Sequence, residues 1–110
     1  MAKVLLDHCV TRLLAPLLPG HVVVTTRKMG WDRLANGGLL AAAAKGGFDA
    51  FLTVDKNLRS EQNLSKLPLP VIAIDSLGNN LESLAPYAPD VLTTLAQRLE
   101  RKVYVIPRRA

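Results

Sequence analysis

Cysteine occurs once, at position 9. No disulfide can form within the chain, and a reducing, cytoplasmic location is the expectation. Aromatic residues make up 5% of the 110, too few for base stacking along an extended single strand to be the main binding mode. No apolar run approaches the ~20 residues that a membrane span needs. The N-terminus lacks a signal peptide's basic start, long apolar core and small-residue cleavage site, so no membrane association is expected. Acidic side chains are in deficit, with 9 Asp and Glu against 14 Lys and Arg and a net charge of +5. That excess favours an acidic partner, either nucleic acid or an acidic protein. Internal repeats, linkers and low-complexity tracts are absent, apart from the basic tail Arg108-Arg109.

What is present is a single domain's worth of apolar residues, 49% of the chain, enough for one core over residues 1–110. Phe48 to Leu58 contains the most informative run: Ala50 to Val54 is almost wholly apolar and stops at Asp55. Such a run reads as a strand buried on both faces of a parallel sheet. The chain opens in the same way, with Lys3 to Leu6 followed by Asp7. Further strands are expected at His21 to Thr26, Val71 to Ile74 and Val103 to Ile106, each apolar or β-branched.

Helical segments are expected between them. The first is short or bent, capped by Thr11 and interrupted by Pro16 before Leu18. A second covers about Gly37 to Lys45 behind an Asn36 cap and stops at Gly46-Gly47. Asn57 to Leu67 reads as a short amphipathic helix or turn, and Leu81 to Leu84 as one helical turn. The last helix opens at Pro89 and runs to about Arg101. The alternation implies an α/β fold, a three-layer α/β/α sandwich with a mostly parallel four- to five-stranded sheet and right-handed crossovers.

Asp7 and Asp55 then lie at one edge of the sheet, where open α/β sheets bind ligands. Two carboxylates there repel unless a cation sits between them or one takes up a proton. A divalent metal suits the pair, because Mg²⁺ needs only one or two carboxylates beside waters and substrate oxygens. Either Asp alone also fits a turn or cap; the pair tips the balance toward function. His8 is a candidate extra ligand or phosphate donor, and His21 reads as structural. Cys9 reads as a small apolar residue, since the chain has too few ligands for zinc and no phosphatase-type loop around the thiol. Arg12, Arg27, Lys28, Lys56 and Arg59 flank the same edge and suit a phosphate backbone, or else form a solvated basic surface. Gly37-Gly38 lacks the Lys and Ser/Thr of a P-loop.

Several short motifs, in order and spacing, resemble the compact PIN-like domains. They are Val4-Leu5-Leu6-Asp7, Gly30-Trp31 followed by Asn36-Gly37, and Thr53-Val54-Asp55-Lys56-Asn57-Leu58. Arg59, Gln62, Asn63 and Leu64 continue the likeness, as do Asn80-Leu81 and Leu84, so that it covers about Lys3 to Ile106. The resemblance implies a small α/β sandwich with metal-dependent ribonuclease activity, often as the toxin of a bacterial toxin–antitoxin pair. It implies Mg²⁺ or Mn²⁺ held by Asp7 and Asp55, with His8 and Asn57 as helpers. It also implies an antitoxin partner and a homodimer, for which Trp31 or the Leu-rich helices would supply an apolar patch; on this reading Arg12, Lys56 and Arg59 at the same edge hold the RNA phosphate. His8 stands where close relatives carry a second acid, and Gly38 where they carry Glu. Asp32, Asn36, Asn57 and Asp75 are the candidate substitutes. These departures carry a second expectation, a PIN-like RNA- or protein-binding module without metal chemistry. A third comparison is with receiver domains, which also place an acid after strand three. The chain lacks their paired acids after strand one and their Lys before Pro at strand five, having His8-Cys9 and Ile106-Pro107.

Overall fold

In the computed structural model, which describes residues 1–55 and 67–109, the five expected strands form one sheet. They are β1 (Lys3–Leu6), β2 (Val22–Thr25), β3 (Ala50–Thr53), β4 (Val71–Ile74) and β5 (Val103–Ile106). Their order is β2-β1-β3-β4-β5, and every neighbouring pair is parallel. β3 and β4 are buried along their whole length, as their unbroken apolar sequences require of strands covered on both faces.

Alternation along the strands divides the interior into two cores. On one face Val4, Leu6, Ala50, Leu52, Ile72, Ile74 and Ile106 meet Leu14, Leu84, Tyr87, Ala88 and Val91. On the other, Leu5, Phe51 and Val71 meet Leu39, Leu40, Ala43 and Phe48. The result is a sheet between two layers of helix and loop.

The connection from β1 to β2 is a 3-10 helix, Arg12–Leu17, rather than an α-helix. Pro16 lies inside it; a proline ring and its missing N–H exclude a regular i→i−4 ladder there. Thr11 caps it, accepting from the Leu13 N–H. Between β2 and β3 runs α1 (Asn36–Lys45), which turns Leu39, Leu40 and Ala43 inward. Asn36 is its first residue, not its cap; Ala35 holds the cap position and makes no side-chain capping bond. The helix ends at Gly46, where an added Cβ would lie 3.1 Å from the Trp31 ring and 3.2 Å from the Ala42 carbonyl oxygen. Gly47 follows at φ +79°, a left-handed conformation that favours glycine.

After β4, α2 (Leu81–Leu84) is capped by Asn80, whose side chain accepts from the Ser83 N–H. A 3-10 turn (Ala85–Tyr87) leads into α3 (Ala88–Leu95), with Pro89 in its first turn. The helix expected to reach Arg101 stops at Leu95. Thr93 and Thr94 turn their hydroxyls back onto the Pro89 and Asp90 carbonyls, a competition that weakens helices. Leu99 still packs against the first core from the irregular segment that follows.

One expectation about chirality is corrected. The β1–β2 and β4–β5 connections both cover the first face, yet they step across the sheet in opposite directions. The two crossovers therefore have opposite hands, and uniform right-handedness does not hold. A six-residue 3-10 helix covers little of that face, and Leu84, Tyr87 and Val91 fill the remainder. Among the described residues no helix is long and apolar enough to cross a membrane.

Candidate functional site

β1 and β3 are neighbours in register, Leu6 opposite Leu52. The ladder continues one step further, with the Asp7 N–H donating to the Leu52 carbonyl at 2.9 Å. Asp7 is thus fixed by backbone pairing before its side chain makes any contact. The strand order reverses at this point, β2 lying on one side of β1 and β3 on the other, the kind of position where doubly wound sheets bind ligands.

The Asp7 side chain is 2% exposed, and two hydrogen-bond donors hold it, with the His8 ring close by. Its Oδ1 accepts from the His8 backbone N–H at 2.8 Å and lies 3.0 Å from His8 Nδ1. Its Oδ2 accepts from the Thr53 hydroxyl at 2.8 Å. A buried carboxylate is stable only with such partners. The same Thr53 oxygen accepts from the Asp55 N–H at 3.0 Å. Thr53, fully buried at the end of β3, therefore bonds the carboxylate of one acid and the backbone of the other. The sequence hides its role, because a threonine in a β-branched, apolar run reads as strand propensity.

A cleft of about 480 Å³ opens on the β2 side of Asp7. Asp7, His8, Arg12, Thr26, Arg27 and Asp32 all line it. Thr11 places Arg12 by capping the 3-10 helix. The turn after β2 places the others: Thr25 Oγ1 accepts from the Lys28 N–H, Gly30 N–H donates to the Arg27 carbonyl, and Trp31 N–H donates to the Thr26 carbonyl. Gly30, at φ +76°, permits that turn. The structure thus brings together Asp7, His8 and Arg12, with Arg27 and Asp32. Asp55 is not among the described residues lining the cleft; it joins Asp7 through Thr53.

Other expected site residues lie elsewhere. Asp75 follows β4 and pairs with Arg108 at 3.1 Å, next to β5. His21 is structural, its Nδ1 accepting from the Ala2 N–H at 2.9 Å. Trp31 meets Phe48 edge-on and packs against the second core. Lys56, Asn57 and Arg59, together with the expected helix or turn that carries them, lie outside the described residues. Among the described residues no group of three or more His, Cys, Asp or Glu could hold a metal ion.

Cys9 is half-buried, packs on the first core and lies 3.7 Å from Thr53 Oγ1. Burial pushes its thiol above the ordinary value, and the Asp7 charge adds to the shift. The Val54 backbone and the Thr53 hydroxyl oppose it by hydrogen bonding. The protonated thiol is therefore favoured in the fold. Above the ordinary thiol range the unfolded chain loses that proton first, so this contribution to stability declines as pH rises. At pH 8 Cys9 is expected to react with a thiol reagent several times more slowly than in the denatured chain. Asp7→Asn, which removes one cause of the shift, is expected to speed the folded protein's reaction. Equal rates for folded wild type and folded variant would show that the Asp7 charge does not reach the thiol.

Comparisons of the chain with protein-family models, with curated proteins and with solved structures each returned no match.

Proposed function

We propose that the chain is a metal-dependent endoribonuclease of PIN-like type, working at the C-terminal edge of β1 and β3. The observation that carries this reading is the Thr53 hydroxyl, which donates to the Asp7 carboxylate and accepts from the Asp55 backbone N–H. A net charge of +5 suits an RNA substrate.

The donor set fits a divalent cation on a minimal footing. Asp7 Oδ1 accepts from the His8 N–H and faces the His8 ring, whereas Oδ2 has one donor and keeps a lone pair. Mg²⁺ commonly takes one or two carboxylates and several waters, so Asp7 Oδ2 and Asp55 would hold Mg²⁺ or Mn²⁺. Bound there, the cation would supply charge stabilisation at the phosphodiester and a water made acidic enough to attack it. The chain's own residues do the rest. Thr53 fixes the Asp7 carboxylate, His8 stands at the mouth of the cleft against the same carboxylate, and Arg12 attracts the phosphate. Asn57, Lys56 and Arg59 extend the site in this proposal, and an antitoxin protein is the proposed restraining partner.

Wild-type protein is expected to cleave RNA with Mg²⁺ or Mn²⁺, and Asp7→Asn and Asp55→Asn are each expected to reduce the rate by about 100-fold or more. Undiminished cleavage in both variants would remove this site from the reaction. One observation favours a second reading, a binding module without metal chemistry: Asp7 is already engaged by Thr53 and by two groups of His8. RNA binding without cleavage under any divalent metal, unchanged by Asp7→Asn, would select that reading.

A further inference from the structure

The cleft beside Asp7 contains more polar chemistry than the fold needs. Thr26 is fully buried in its lining. Its backbone is satisfied on both sides, N–H to the Leu6 carbonyl at 3.2 Å and carbonyl to the Trp31 N–H at 2.9 Å. Its hydroxyl has no hydrogen-bond partner among the described residues. A buried hydroxyl without a partner destabilises a fold, and valine would fill the same shape without that penalty. The hydroxyl is therefore suited to something that enters the cleft.

The charges around it point the same way. Arg12 and Arg27 stand on the two sides, one on the 3-10 helix and one after β2, and Asp32 follows on the same turn. Arg12, Arg27 and Asp32 form no ion pair with other described residues. Paired guanidinium groups match the oxygens of a phosphate. A carboxylate a short distance away repels a bare phosphate but accepts hydrogen bonds from ribose hydroxyls. Asp7 also lines the cleft, but its buried carboxylate already accepts from the His8 N–H and the Thr53 hydroxyl. Two cations, the exposed Asp32 carboxylate and a neutral hydroxyl remain, and they fit a ligand that is anionic at one end and a hydrogen-bond donor at the other. A volume of about 480 Å³ suits one nucleotide.

We propose that this cleft is a ribonucleotide subsite, with phosphate on Arg12 and Arg27, a further ligand atom on the Thr26 hydroxyl, and ribose hydroxyls on Asp32. It rests on the nuclease function proposed above and deepens it. The substrate strand passes from the acids toward β2, and one of its nucleotides lodges there before the chemistry begins. The subsite uses none of the metal chemistry, so it operates in metal-free protein.

The test is calorimetric titration of metal-free full-length protein with each of the four ribonucleoside 5′-monophosphates, the matching deoxynucleotides and inorganic phosphate. At least one ribonucleotide is expected to bind, with the deoxy form and phosphate alone each weaker by about fivefold or more. Arg12→Ala and Arg27→Ala are each expected to weaken it about tenfold. Lys45→Ala, an exposed change of equal charge at the far end of α1, is expected to leave it unchanged. Thr26→Val separates ligand binding from structure. It is expected to raise the ligand-free melting temperature by a few degrees while weakening the nucleotide severalfold, whereas a structural hydroxyl would lower stability.

Equal affinity for phosphate and nucleotide, or equal weakening by Lys45→Ala, would overturn the proposal. So would RNA cleavage with an unchanged KM in both arginine variants, which would leave the nuclease standing. Selective ribonucleotide binding without RNA cleavage would support the subsite and count against the nuclease alone.

Discussion

Phe51→Ala is expected to destabilise the protein by about 3–5 kcal/mol, the largest loss any single truncation in the sheet should give. Phe51 is the middle of β3, flanked in register by Leu5 of β1 and Val71 of β4, and it is fully buried. It shares the second core with Leu39, Leu40 and Ala43 of α1 and with Phe48. Neither neighbouring strand can close the hole, because both are hydrogen-bonded to β3. α1 cannot move in freely, because the Trp31 ring stands so close to its end that a Cβ added at Gly46 would lie 3.1 Å from it. The lost contacts and the unrelaxed cavity therefore add. Domains of this size are stable by roughly 5–15 kcal/mol in total, so the variant should sit near its folding threshold. Its melting temperature should fall by on the order of 15 °C. In urea the midpoint should drop while the slope stays constant, as expected for a change in stability alone. Phe51→Leu, which keeps most of the volume, should lose less than half as much. A loss below about 1 kcal/mol for the alanine variant would mean that β3 is not the enclosed centre of the sheet.

That centre was legible in the sequence, for a simple reason. A strand buried on both faces needs no periodicity, only an apolar run bounded by polar residues. Lys3–Leu6, Val71–Ile74 and Val103–Ile106 were read at their observed bounds, and the strands at positions 21 and 50 were each read slightly long. Helix ends were less legible, because they depend on tertiary pulls that local sequence does not record. Pro16 predicted a bend but not a 3-10 helix, and Leu99 kept its apolar contact after the helix around it had ended. The strand order β2-β1-β3-β4-β5 was not legible, since pairing joins residues far apart in the chain. That order is also found in receiver and flavodoxin-like sheets, so it does not by itself choose between a nuclease and a phosphoacceptor. Function must come from the site.

At the site, Asp7 and Asp55 were visible because a carboxylate ending an apolar run is conspicuous. The groups that organise them were not. Thr53 and Thr26 each end a β-branched or apolar stretch, where threonine is unremarkable. Their roles arise only when β1, β2 and β3 are laid side by side and the ends of the strands converge. A useful signal was nonetheless present: a threonine hydroxyl can accept from the backbone N–H two residues on, as Thr53 does from Asp55. His8, an expected metal helper beside Asp7, has its ring nitrogen 3.0 Å from Asp7 Oδ1.

Thr53→Val is the change that should separate a positioned acid pair from two acids that are merely close. Valine keeps the shape of threonine and its strand propensity, so packing at the buried end of β3 is preserved. What disappears is one oxygen with its bonds to Asp7 and Asp55 and its contact with Cys9 Sγ. Asp7 Oδ2 loses its protein donor at 2.8 Å, and the Asp55 N–H loses its acceptor at 3.0 Å. Asp7 is 2% exposed, and water reaches it poorly. Leaving a buried charged acceptor short of a donor costs about 1–3 kcal/mol. The functional loss should exceed what that stability loss explains, because groups that orient metal-binding carboxylates are worth about 10–100-fold in affinity or activity. Thr53→Ser, which restores the oxygen and drops only a methyl group, should recover most of the RNA cleavage. Cys9 supplies an independent readout. The Thr53 hydroxyl lowers the thiol's proton affinity and the Asp7 charge raises it. Thr53→Val should therefore slow alkylation of Cys9, whereas Asp7→Asn speeds it. These opposite signs at one thiol cannot come from a general loosening of the fold, which would speed both. If Thr53→Val kept wild-type stability and wild-type cleavage, the acids would not depend on this hydroxyl, and Asp55 would need another reason to belong to the site.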